Sequence, residues 1–152
     1  MVNRNIIRKP IPEQHDGYVK VGIIVVREFE DFADKNIGPF VEQLTKLGCT
    51  SQHINVREVA KLHDSIMMIQ YFAQYTDVDS VIILVPEECV LHNTALMNGI
   101  VQLQLQWNMY VTVGGQERAL DMQDMYFSMR EMEASAPCFD AEDAEEPNIS
   151  FS

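Results

Sequence analysis

Apolar and polar positions change period several times along the chain, and each change marks an element. Val19 to Val26 is short, rich in Val and Ile, and uncharged except at Lys20. Such a run predicts a strand covered on both faces, as in a parallel sheet. From Asp31 to Leu47 the period becomes helical, with Ala33, Ile37, Phe40, Leu44 and Leu47 at three- and four-residue steps. Gly48 follows the last periodic residue and suits a helix C-cap. Ser51 to Val59 predicts a second strand through Ile54, Val56 and Val59. Leu62 to Tyr75 predicts a second helix, with one stripe of Leu62, Ile66, Ile69 and Ala73 and another of Met68, Phe72 and Tyr75. Ser80 to Val85 is a third strand, stopped by Pro86.

Val90 to Trp107 predicts one long helix with two apolar stripes: Leu96, Ile100, Leu103 and Trp107, then Met97, Val101 and Leu105. A helix on a monomer surface needs only one. The second stripe packs either under another helix of the same chain or against a second subunit. Tyr110 to Val113 is a short fourth strand ending in Gly114-Gly115, and Gln116 to Arg130 a last, less regular helix. Strands alternating with helices imply right-handed crossovers. The expected fold class is therefore α/β, a three-layer αβα sandwich on a four-stranded parallel sheet.

Composition sets the limits of this domain. The 152 residues include 47% apolar side chains and carry a formal net charge of −12. That charge disfavours nucleic acid and anionic membrane surfaces as partners. No apolar run approaches the length of a membrane span, and no secretory h-region opens the chain. The three cysteines, Cys49, Cys89 and Cys138, are odd in number and far apart. These features predict free thiols and a cytoplasmic or other reducing compartment. Beyond Arg130, residues 131–152 hold seven acids and no Lys or Arg, which is −7 of the −12. This stretch predicts a disordered acidic tail, and residues 1–15 an N-terminal arm, flanking a domain over 16–130. The end of the tail, Asn148-Ile149-Ser150-Phe151-Ser152, places two apolar side chains past an acidic spacer, as a partner-binding peptide would.

Four segments, in order, resemble the lumazine synthase family, especially its fungal members. Asp16-Gly17-Tyr18-Val19-Lys20-Val21-Gly22-Ile23-Ile24 running to Arg27 looks like the family's first strand. The helix ending Leu47-Gly48 matches the next segment. The strand Ser80 to Val85 is followed by His92 at the family's spacing. Ala95-Leu96-Met97-Asn98 then leads into Met109-Tyr110-Val111-Thr112-Val113-Gly114. The resemblance covers residues 16 to about 120. It implies a flavodoxin-like sandwich and subunits in a pentamer or multiple of it, with sites between neighbours. It also implies an ancestral reaction joining a ribitylamino-pyrimidinedione to a four-carbon sugar phosphate.

Taken residue by residue, the resemblance weakens at the chemistry. The family's aromatic platform after the first-strand Arg is Glu28 here, and a carboxylate cannot stack on a ring. Phe29 substitutes only if the strand end slips by one residue; otherwise it packs under the first helix. The Pro-Gly turn after strand two is replaced by Ala60-Lys61-Leu62-His63-Asp64. Asp64 keeps the carboxylate that would hold ribityl hydroxyls, and His63 stands in the aromatic's place; equally, both belong to a polar helix start. In the phosphate cradle, Glu88 replaces Gly and Val90 replaces Thr. With Glu87 alongside, two carboxylates face the position of a dianion and repel it. His92 keeps the position of the family's proton shuttle, about a turn into the long helix. Val113 replaces the family's flavin-contacting Phe, and Arg118 and Arg130 fall outside the family's phosphate-neutralising pattern. Cys89-x-x-His92 is half of a zinc spacing with no second half nearby, so neither metal nor cofactor is expected.

The function these residues predict is a catalytically inactive, lumazine synthase-like oligomeric scaffold, its acidic tail offered to protein partners. The alternatives are a working, divergent synthase relying on His92 and Asp64, or a module binding a flavin or another heterocycle through Phe29, His63, Asp64 and Val113.

Overall fold

The computed structural model describes residues 19–135. The expected arm over 1–15 and the tail from 136 onward lie outside the described residues. The elements follow the order β1 (Val21–Val26), α1 (Glu30–Lys46), β2 (Ile54–Val59), α2 (Ser65–Tyr75), β3 (Ser80–Leu84), α3 (Glu87–Leu91), α4 (Thr94–Trp107), β4 (Tyr110–Val113) and α5 (Arg118–Ser135). All strand pairings are parallel and the sheet order is β2-β1-β3-β4. The fold is thus the expected three-layer αβα sandwich with a flavodoxin-like strand order.

Alternation along the strands builds two cores. Ile24, Val26, Val81, Ile83, Val85 and Val111 face α2, α3 and α4, where Ile69, Phe72, Val90, Leu96, Ile100 and Leu103 meet them. Val21, Ile23, Ile82 and Leu84 face α1 and α5, against Phe40, Leu44, Ala119 and Met122. Every residue of β3 is buried, whereas the middle of edge strand β2 is exposed. Gly22 lets α2 approach the sheet: a Cβ there would lie 2.9 Å from two carbons of the Phe72 ring.

The end of α1 is closed as the sequence suggests. Gly48 takes φ 110°, its N–H reaches the Thr45 carbonyl at 3.0 Å, and Cys49 N–H reaches the Leu44 carbonyl at 3.0 Å. These two bonds satisfy carbonyls that a helix end leaves open. Burial pushes the Cys49 thiol up to about 11, so it is a packed, inert side chain.

Two expectations need correction. The long helix Val90–Trp107 is two helices, because Asn93 leaves the helical path and its Oδ1 accepts from Leu96 N–H at 3.1 Å, capping α4. His92 is therefore the residue that closes α3, not a position within a continuous helix. The last helix also runs past Arg130 to Ser135, so the first five residues assigned to the tail are helical. Ser135 Oγ donates to the Glu131 carbonyl at 2.8 Å in the last described turn.

Candidate functional site

In an open parallel sheet, ligands settle where the strand order reverses, outside the carboxyl ends of the strands. Here that point lies between β1 and β3. Two separate polar ties form at this edge, and they account for most of the residues singled out above.

The first tie joins the ends of β1 and β2. Glu28 Oε1 accepts from Leu62 N–H at 2.9 Å, and Lys61 Nζ lies 3.5 Å from its other oxygen. The amide bond, then Lys61 and His63, hold the Glu28 carboxyl below the usual range. Asp64 Oδ2 accepts from Lys61 N–H at 3.2 Å, and His63 Nε2 stands 3.4 Å from Asp64 Oδ1. Asp64 and His63 thus serve a helix start, where the carboxylate satisfies a free backbone N–H. Phe29 is half-buried and packs, together with Leu62, on the core under α2 and α4. It does not pack beneath α1, because the short 3-10 turn Arg27–Phe29 carries it to the opposite side of the sheet.

The second tie joins the ends of β4 and β3. Arg118 Nε donates to the Val113 carbonyl at 3.1 Å, Nη1 to Asp121 at 3.0 Å and Nη2 to Glu87 at 2.7 Å. Burial alone would lower the Arg118 pKa; the bond to Asp121 and the charges of Glu87 and Asp121 outweigh it and raise it. The β4 loop is fixed from below as well, since Gln116 N–H donates to Asn36 Oδ1 at 2.9 Å. Gly115 leaves room for that contact, since a Cβ there would come within 2.4 Å of the Asn36 oxygen and push it aside. Val113 is half-buried against the core under α2 and α4.

The fold therefore brings Phe29, His63 and Asp64 to one tie and Val113 to the other. His92 belongs to neither: its ring is exposed, with no side-chain hydrogen bond or ion pair among the described residues. Cys89 is a free, half-buried thiol, and among the described residues no third donor joins it and His92 in a group able to hold a metal. A shallow apolar hollow of about 440 Å³ lies beside the first tie, between Arg57 and Val59 of β2 and Asp64, Met67, Met68 and Tyr71 of α2. Arg57 closes one side of it, donating to Tyr71 Oη at 3.1 Å.

The Arg118–Glu87 bond was not legible from spacing within either segment. The available signal was topological: β3 and β4 are neighbours, so an acid just after one and a base just after the other must meet at the same edge.

Taken together, these features define a doubly wound α/β domain whose carboxyl edge is closed by its own ion pairs. No model of a known protein family matches the chain, and no curated protein is similar to it in sequence. Among the described residues no helix is long and apolar enough to cross a membrane.

Proposed function

We propose that this chain is a non-catalytic, lumazine synthase-like scaffold that acts as a homo-oligomer and offers its acidic C-terminal segment to protein partners. The observation that carries the reading is the 2.7 Å contact between Glu87 and Arg118 at the mouth after β3. An arginine at that edge is the natural seat for an anionic substrate group. A carboxylate of the chain already occupies it, and Glu88 adds a second negative charge beside it. Glu28, where an aromatic platform would be needed, is committed to a backbone amide instead.

Oligomerisation is supported by the second stripe of α4. Leu96, Ile100 and Leu103 are buried, yet Val101 stays 44% and Leu105 80% exposed. These two exposed apolar side chains on one helix are the kind of surface that a second subunit covers. In a pentamer the C-terminal segments would project together, and weak contacts to a partner would gain avidity.

Light scattering on the purified chain tests the reading: a pentamer or a multiple of it is expected, and a monomer at micromolar concentration refutes it. Incubation with the two lumazine synthase substrates should give no lumazine fluorescence. Turnover lost in His92→Ala would establish the enzymatic alternative. A second reading, heterocycle binding, draws on the hollow beside Asp64 and Tyr71. Riboflavin titration checks it, and unchanged flavin fluorescence at high micromolar protein dismisses it.

A further inference from the structure

At the opposite edge of the sheet, below the amino ends of β3 and β4, the ends of α2 and α4 and the second half of α5 leave a cleft of about 200 Å³. Trp107, Met109, Met125, Tyr126 and Met129 wall it. It is distinct from both ties and from the hollow beside Asp64. An apolar cavity of about 150 Å³ already accepts a benzene ring, so this one has room for a single substituted ring. Aromatic faces and thioethers contact a flat guest favourably, and methionine adjusts its shape to it. The charged groups of the cleft do not call for an ion. Glu133 lies 3.8 Å from Arg130, and the same guanidinium faces Asp79, so these charges answer one another.

Trp107 supplies the specific observation. Its Nε1 is buried and meets no acceptor among the described residues. The large majority of buried side-chain donors in native folds have a partner, so this indole N–H marks an acceptor still to be supplied. We infer that the cleft binds a small, neutral, planar molecule that carries a hydrogen-bond acceptor, an aromatic amide or a ring lactam by class. The ring lies among Trp107, Tyr126 and the methionines, and the acceptor takes the N–H of Trp107 Nε1. A slight turn of the indole brings that N–H to the guest, and the soft methionine walls permit it. A bound molecule touches α2, α4 and α5 at once and fastens their ends together. The site lies away from the carboxyl edge and does not rest on the scaffold role.

Trp107 is the sole tryptophan, so its emission reads the cleft directly. The full chain is titrated with benzamide, which has a ring and a carbonyl acceptor, with toluene, which has the ring alone, and with benzoate, which adds a charge. Benzamide should change the emission saturably at millimolar concentration, and benzoate should not. Ala73→Leu fills the cleft from the α2 side and should abolish the response, with the circular dichroism of the parent retained. In Trp107→Phe, ligand-observed NMR should show benzamide binding weakened about five- to tenfold, as for one lost hydrogen bond, and toluene binding not weakened. That comparison decides the matter should Ala73→Leu fail to fold. A parent with no saturable response to benzamide overturns the inference. So does benzamide binding that persists in a folded Ala73→Leu chain, an equal loss of benzamide and toluene in Trp107→Phe, or benzoate binding as tight as that of benzamide.

Discussion

Replacing both exposed members of the α4 stripe, Val101→Lys and Leu105→Lys, should abolish the proposed self-association while leaving the subunit folded. Fully burying a Leu or Val side chain stabilises by about 1.5–3 kcal/mol. Scaled by the 80% exposure of Leu105 and the 44% of Val101, an interface covering both gains about 2.5 kcal/mol. An unpaired ammonium in that contact costs at least a further 1–3 kcal/mol. The sum is about 3.5–5.5 kcal/mol, or roughly three to four orders of magnitude in the subunit dissociation constant. Inside the subunit the same positions face solvent, and Lys is a good helix former, so folding stability should move by no more than about 0.5 kcal/mol. Sedimentation or light scattering reads the mass, and circular dichroism with urea unfolding reads the fold. An assembled parent whose mass survives in the double variant refutes this face as the interface. Loss of helical signal together with loss of mass refutes the argument that the stripe is redundant within the subunit.

Three further outcomes follow from individual contacts. Gly22→Ala forces a Cβ to 2.9 Å from the Phe72 ring and should destabilise by about 1–3 kcal/mol in urea titration; a neutral result means α2 can retreat from the sheet at no cost. In Glu87→Ala, Arg118 loses a partner that is 46% exposed, so the stability cost should stay below about 1 kcal/mol, while millimolar phosphate raises the melting temperature of the variant and not of the parent. Equal phosphate responses would show that Glu87 does not keep anions from Arg118. Asp79 accepts from Lys20 N–H at 2.9 Å, but burial holds its carboxyl above the ordinary value of 3.8. A raised acid binds its proton more tightly when folded. Its contribution is therefore complete below pH 3.8 and is lost as pH rises through the elevated folded value. Asp79→Asn keeps an acceptor and removes that loss, so the variant should gain on the parent between acid and neutral pH in melting scans; parallel pH profiles would contradict the desolvation argument.

The layers of this fold were legible in the sequence because each rests on a period that sterics enforce. A residue pair such as Ile23 and Ile24 can only face opposite sides of a strand, and here they divide between the two cores. The break between α3 and α4 was less legible. Val90 and Met97, seven residues apart, sustain a helical reading across it, and the side-chain bond of Asn93 marks where the backbone turns aside. Asn competes with the helix for backbone N–H groups, so the same residue type either interrupts a pattern or merely decorates it. The overrun of α5 past Arg130 has the reverse cause: Glu131 and Glu133 read as the start of a charged tail, but both are compatible with an exposed helical turn, and Arg130 Nη1 lies 3.8 Å from Glu133.

The candidate site was legible only as a set of departures from a resemblance, because a resemblance states what a family holds at a position and says little about the partner found here. Glu28 and Glu87 illustrate the difference. From sequence Glu28 reads as a lost aromatic platform and Glu87 as a charge that repels an anion. In the fold each has a donor of its own, Leu62 N–H for one and Arg118 for the other. An acid that only repels a substrate can be reversed by substitution, whereas an acid that also ties two loops together has acquired a structural use. Reversal then costs loop order as well as charge. On this reasoning substitution at Glu28, which holds a backbone amide, disturbs loop order more than substitution at Glu87, whose partner is a side chain able to swing to another anion.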